Sequence, residues 1–419
     1  MTLNKNKFFF ILMSFYPISI IIGPLISLIN TIIIILFYLL FFFKEQHYKF
    51  IFKDKNLKIL LVIYLYLIAN TMISLSYEVG LSRNLGFIRL IFLFVAINYF
   101  FYIYPKSSKV FYVWTIIFII FVMDVYLERF TGSNIFGWGP QEIDGIFQPY
   151  GSRVMSFFKD EPIAGSFIYG LIFIIIGCLF ILQKKKINYF YLFLTFIFLL
   201  SIVITGERSN TIKVMFGIFL FILIIDFMKL KTKLLLLTIL IGSIIVVVSN
   251  SGYLKNRYVG QLYYFIAEKD SKNLQNNLYF KLYRSGINVF KNYPIMGVGN
   301  KNYRVESCGD VDKVIKYNYK CTTHPHQIYI ELLSEHGFLG TSFLIFTFFL
   351  LIFRNFKKII QSQNYIQIGA FVYLLSIFLP LIPSGSFFSD FNITFFFINL
   401  SLLYAVNKKT NIFYVEKKN

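Results

Sequence analysis

Long apolar runs separated by short basic connections make up most of this chain. Leu, Ile and Phe fill stretches of about 16 to 20 residues, the length at which a helix crosses a bilayer. About twelve spans are expected. They cover residues 8–22, 25–43, 59–76, 86–104, 110–127, 162–182, 189–204, 211–228, 234–249, 337–353, 365–382 and 391–406. Gly23-Pro24 separates the first two, because proline lacks the N–H that would carry a helix onward. The apolar stretch after Lys5 and Lys7 runs to Phe43 without a small-residue cleavage site. It therefore reads as membrane helix that is kept, not as a signal peptide.

The connections test this count through the excess of Lys and Arg on the cytoplasmic side. Alternate connections are basic: Lys49, Lys53, Lys55 and Lys58; Lys106 and Lys109; Lys184, Lys185 and Lys186; Lys229, Lys231 and Lys233; Arg354, Lys357 and Lys358; then Lys408, Lys409, Lys417 and Lys418. All fall on one side if both termini are cytoplasmic, as an even number of spans requires. The opposite, outer side then receives residues 128–161, the turn 205–210 and the long segment 250–325. The expected organisation is transmembrane helices over 1–249, a large outer loop with amphipathic helices over 250–336, and three more spans with a tail over 337–419. The fold class is an all-α integral membrane protein.

Composition agrees. The chain is 57% hydrophobic and 15% charged, where a soluble domain has roughly 25% charged residues. Its net charge of +21 would suggest nucleic acid, but the cations sit between apolar runs. That is a topology pattern, and it argues against nucleic-acid binding. Cys178 lies inside a span and reads as packing. Cys308 and Cys321 share the long outer loop, where an oxidising compartment permits a disulfide; closing that loop would contribute about 3 kcal/mol.

Chemistry is expected where polar loop meets membrane. Cys321-Thr322-Thr323-His324-Pro325-His326-Gln327 holds two of the four histidines. Ionisable groups at such a boundary are costly to keep without a use, and histidine moves protons near neutral pH. His326 is the candidate base, followed by an amphipathic stretch, 328–335, that leads to Gly337. Arg208, in the tight turn Gly206-Glu207-Arg208-Ser209, can fork onto phosphate oxygens. Arg284 lies on a segment, 281–290, expected as an amphipathic helix on the outer membrane surface. Arg153, Asp160 and Glu161 precede a span; the acids either orient a sugar or pair with Arg153 or Lys159. Arg89, inside a span, needs a partner or a polar cavity. His-x-His alone is weak for zinc, and no metal or other cofactor is expected. One base and several arginines at a membrane edge suit a lipid-linked pyrophosphate substrate: arginines hold the leaving pyrophosphate and histidine takes a proton from an attacking sugar hydroxyl.

Over about residues 60–405 the chain resembles the O-antigen ligase and O-antigen polymerase superfamily of bacterial polytopic membrane proteins. The resemblance rests on Gly206-Glu207-Arg208-Ser209, Arg284, Pro294-Ile295-Met296-Gly297-Val298-Gly299, His324-Pro325-His326-Gln327, Glu335, Gly337 and Gly340, in that order. It implies a metal-independent glycosyltransferase of the GT-C type in the inner membrane, with its active site in a periplasmic loop. The implied donor is a glycan on undecaprenyl pyrophosphate. The implied acceptor is a second lipid-linked repeat unit or the lipid A core, and a chain-length regulator is a further implied partner. His326, Arg208 and Arg284 match the family's functional residues; Arg153, Glu161, His324, Gln327 and Glu335 are expected to bind substrate. Gln327 departs from the family's usual asparagine, which leaves His324 and His326 both open as the base. The His-Pro-His form and the turn Pro383-Ser384-Gly385-Ser386-Phe387-Phe388 lean towards a polymerase. A transporter of lipid-linked glycans is the alternative from another class. It needs a polar path through the spans, whereas the charges read there are Arg89, Asp124 and Asp226.

Overall fold

The computed structural model describes residues 2–45, 47–48, 53–143, 146–148, 151–159, 161–183, 188–261, 263 and 277–414. Asp160, Lys49, Lys184, Lys185, Lys186, Lys417 and Lys418 lie outside that set. The described chain is helical apart from a small antiparallel hairpin, Gln141–Ile143 with Ile146–Gln148, in the segment expected as an outer loop. Each expected span falls on a helix. Among the described residues seven helices are long and apolar enough to cross a membrane, and shorter apolar ones accompany them at Tyr189–Ile204, Tyr365–Ser376 and Asp390–Ala405.

The first expected break is present. Gly23 adopts φ 138° between the helices Tyr16–Ile22 and Pro24–Lys44. Phe9 packs on Phe37, and the Tyr16 hydroxyl meets Thr31 Oγ1 at 2.5 Å. Contacts paired in this way make the two arms antiparallel.

The centre of the bundle is the Ala164–Leu182 helix, buried along most of its length and packed against Tyr365–Ser376. The two backbones touch. A Cβ on Gly177 would lie 2.4 Å from the Tyr365 carbonyl oxygen, and one on Gly369 2.2 Å from that of Phe173. Close approach at small residues is how helices associate where the solvent is as apolar as they are. The periphery tells the same story. The Leu230–Ser249 helix is apolar all round, yet only 11% of its central window is buried. Leu235, Ile241 and Ile245 are each more than half exposed. Apolar surface on that scale belongs in lipid.

The Ile328–Phe353 helix is broken at Gly337 (φ 64°, ψ −170°), a conformation open essentially to glycine alone. A broken helix leaves backbone groups unpaired. The segment Pro294–Gly299 supplies the partners. Val298 and Gly299 donate to the carbonyls of Ser334 and Glu335, while Phe338 and Leu339 donate to those of Pro294 and Ile295. The Gly-x-Gly sequence is therefore a backbone clasp: a Cβ on Gly297 would meet the Glu335 carbonyl carbon at 2.4 Å.

The Leu278–Asn292 helix has a buried face, Leu282, Ser285, Gly286 and Val289, that packs on protein, with Gly286 against Pro325 and Ile330. Leu278, Phe280 and Ile287 remain exposed on the rest of the helix. Cys308 and Cys321 are joined in a disulfide, and Cys178 is buried.

Gly337→Ala should destabilise the protein by about 1–3 kcal/mol from backbone strain alone. Gly242→Ala, whose new Cβ meets nothing within 4 Å, should be neutral or slightly stabilising. Heating the detergent-solubilised variants and measuring the monodisperse fraction checks both; equal melting of the two would contradict the clasp.

Candidate functional site

The site is built on two loops that one half-buried arginine ties together. Arg129 donates to the Ile204 carbonyl at 3.0 Å and to the Ser152 carbonyl at 2.9 Å, with its guanidinium over the Tyr253 ring. Val154 N–H donates to the Thr205 carbonyl. Below them Glu128 accepts from the Met155 and Ser156 amides, and Asp124 from the Ser156 hydroxyl. The span-edge acids thus shape the loop that carries Arg153 and Glu161.

In the turn after this clamp, Gly206 takes φ 78° and Glu207 faces inward. Glu207 accepts from Gly165 N–H at 2.6 Å and Asn210 Nδ2 at 2.7 Å. Its carboxylate thereby sits at the N-terminus of the central helix, where a negative charge is favoured. Burial nevertheless raises its pKa to about 7. The turn aims Arg208 at a cavity of about 850 Å³.

Arg153, Arg208 and Arg257 all line that cavity, with Glu207, Asn210, Lys213, Tyr279 and His326. Arg257 is anchored through Nε to the Gly206 carbonyl at 3.2 Å. Burial lowers its pKa first, and the charges of Arg153 and Arg208 lower it further. The three guanidiniums are therefore near enough to repel one another. Lys213 is 4% exposed, with its ammonium 5.6 Å from the centre of the Tyr169 ring.

His326 enters from the opposite wall. Its backbone has φ 56°, a costly conformation of the kind that gathers at functional sites. Its carbonyl accepts from Ser384 N–H at 2.8 Å, which fastens the Pro383–Phe388 turn to the histidine loop. The rings of His324 and His326 are 4.0 Å apart, centre to centre. His324 Nδ1 meets Thr323 Oγ1 at 3.0 Å. Burial lowers the pKa of each ring to about 4; the Lys301 charge lowers His324 further, and His324 lowers His326. Both are neutral near pH 7, with a lone pair free to take a proton.

Glu331, fully buried, accepts from the Ser386 hydroxyl at 2.5 Å and the Phe387 amide at 3.0 Å. Lys301 bonds the same Ser386 hydroxyl and stands 4.0 Å from Glu331. This pair, with Glu331 buried and Lys301 half-buried, holds the turn against the helix that begins after His326.

Of the residues expected at a site, the structure gathers His326, Arg208, Arg153 and Glu161 around one cavity. His324 opens onto a neighbouring one of about 620 Å³. Glu161 lies on the wall of both, and also of a cavity of about 540 Å³ beside the Gly23-Pro24 break, where Arg89, Lys159 and Asp390 join an otherwise largely apolar wall. Three expected residues stand elsewhere. Arg284 is exposed on the solvated face of its helix and lines none of these cavities. Gln327 is 3% exposed and caps the Ile328–Phe353 helix, accepting from Ile330 N–H at 2.8 Å. Glu335 is buried beside the Lys301 and Tyr303 amides, behind the clasp. Arg89 finds its partner in Asp390, at 2.5 Å. Arg257, Lys213, Lys301 and Glu331 are additions that the sequence reading did not single out. Only Lys213 had a readable signal, a lone cation in an apolar run. Among the described residues no three His, Cys, Asp or Glu side chains gather as metal ligands do.

Residues 193–345 match the protein family described as O-antigen ligase. That match supports, over this part of the chain, the resemblance to the O-antigen ligase and polymerase superfamily. The matched stretch carries Arg208, Arg257, His324, His326 and Glu331; Arg153, Glu161 and the Pro383–Phe388 turn lie outside it. No curated protein matches the chain. Members of the superfamily are glycosyltransferase-like enzymes. With seven helices among the described residues fit to cross a bilayer, the chain is a multi-pass membrane protein.

Gln327→Ala should cost about 1 kcal/mol of stability through the lost cap, while Gln327→Asn, which can also cap, restores it with glycan transfer intact. Parallel melting and transfer assays test this. Loss of transfer at full stability would return Gln327 to the substrate.

Proposed function

We propose that this protein transfers a glycan from undecaprenyl pyrophosphate to an acceptor sugar hydroxyl at the outer face of the inner membrane, as an O-antigen or related surface-polysaccharide polymerase. The reading takes both termini as cytoplasmic, with the spans arranged as the basic connections indicate. What carries it is the meeting of Arg153, Arg208 and Arg257 with His326 around one cavity. Three crowded guanidiniums call for a multiply charged anion, and planar forks suit phosphate oxygens. The adjoining cavity offers apolar wall from Ile20, Ile21, Leu25, Leu28, Phe157 and Phe158, beside Arg89 and Lys159, for the isoprenoid chain.

In the proposed step the acceptor oxygen attacks the anomeric carbon of the donor. The bond from that carbon to the phosphate oxygen breaks, and its electron pair leaves with the pyrophosphate. The hydroxyl proton passes to the free ring nitrogen of His326. The arginines stabilise the charge that grows on the leaving group, in a site where such stabilisation is worth several kcal/mol. The Lys301–Ser386–Glu331 contacts hold the turn that faces the histidine. The polymerase reading follows the His-Pro-His form and the Pro383–Phe388 turn.

Glycan profiling of a deletion strain complemented with wild type or His326→Ala tests the reading. A ladder restored only by wild type, with single repeats on the lipid A core in the mutant, is expected. Bare core with long glycan held on undecaprenyl pyrophosphate would make the protein a ligase, and an unchanged ladder would overturn the base assignment. Arg208→Lys should lower kcat/KM roughly 10²-fold, the usual cost of one lost donor to a developing anion.

The pH profile supplies a second test. A base works when unprotonated, so an ordinary histidine fails below about 6.5. Here the acid limb of kcat/KM should fall near 4. Bound pyrophosphate stabilises the imidazolium, so the limb of kcat should lie higher. Measurement in a Glu207→Gln background removes the other group titrating near neutrality.

A further inference from the structure

The two histidines face different rooms. His326 opens on the arginine cavity, His324 on its neighbour, and their rings are 4.0 Å apart in the partition. Glu161, Ser166, Gly385 and Asn392 belong to both walls. The second cavity has its own character. Arg83, Lys301 and Arg304 face it, against Glu161 as the one carboxylate among its described lining residues. Arg83 is paired with Asp390 and Lys301 stands near Glu331. Arg304 is exposed, with no ion pair to another described side chain. Ser82, Thr323, Ser389 and Asn392 add hydroxyl and amide groups, the donors and acceptors a sugar uses.

We propose that this second cavity is the acceptor subsite and selects an acidic sugar, a uronate or a phosphorylated hexose, at the attacking end of the acceptor. The acceptor then reaches the partition from the side opposite the donor pyrophosphate, with its acid group on Arg304 and Lys301. The inference rests on the proposed transferase reading for the word acceptor. The acidic-sugar site itself rests on the cavity alone.

Thiol protection tests the two cavities separately. Ser82→Cys reports on the second cavity and Ser209→Cys on the first, since Ser82 and Ser209 each line one of them. The native cysteines add little background, two being bonded and one buried. Full-length protein is labelled with a maleimide in the presence of galacturonate, glucose 6-phosphate or glucose. At position 82 an acidic sugar should halve the labelling rate at a concentration at least tenfold lower than glucose does. Whichever acid acts at the lower concentration identifies carboxylate or phosphate as the group recognised. Arg304→Glu should abolish the difference. Equal protection by glucose, no protection at all, or acidic sugar protecting only position 209 would overturn the proposal. Undecaprenyl-pyrophosphate-linked glycan should protect position 209. If it does not while acidic sugar protects position 82, the donor reading fails and the acidic-sugar site stands.

Discussion

Like charges crowded around one half-buried cavity are the constraint around which this molecule is arranged. Arg153, Arg208 and Arg257 come from three separate segments and meet at one cavity. Their mutual repulsion acts against the fold, and burial weakens the solvent screening that would relieve it. The structure meets that cost with backbone. Arg257 is held by the Gly206 carbonyl, the Gly206 turn is tied through Arg129 to the Arg153 loop, and Glu207 is fixed on the end of the central helix. A polyanionic ligand would relieve the same repulsion, and the proposed donor is one.

A second set of contacts faces this one. The histidine loop is held by the Pro383–Phe388 turn, the turn by Glu331, and the helix carrying Glu331 by the clasp at its broken point. Each member uses a conformation or burial that would be unfavourable alone: a positive φ at His326, a carboxylate out of water, a helix without its continuous ladder. Sites are commonly made this way, with strain kept in place by packing around it.

Much of this was legible in the residues. Apolar runs placed the helices because lipid demands them, and Gly23-Pro24 marked its reversal because proline ends a backbone ladder. Arg208, Arg153, Glu161 and His326 stood out as polar groups at span edges. Arg257 did not, because it lies in a long basic loop where one more cation has no contrast. Arg284 lies on the solvated face of its helix, as the spacing predicts, but helical spacing does not tell which cavity such a face borders. Gln327 was read through a family pattern, while its position at a helix start, with an amide three residues on to accept from, is a local fact that glutamine seldom advertises. Glu331 and Glu335 looked alike on paper. Only the fold puts one on the turn and the other behind the clasp.

The shared partition has a consequence for how such a protein diversifies. Glu161, Ser166, Gly385 and Asn392 border both cavities, so a substitution there alters two recognition surfaces at once, and neighbouring changes will not add independently. Lineages that adopt a new sugar would then have to revise both rooms together. That coupling is a handicap for an enzyme joining unlike partners. For one that joins a unit to another copy of itself, it keeps the two specificities in step.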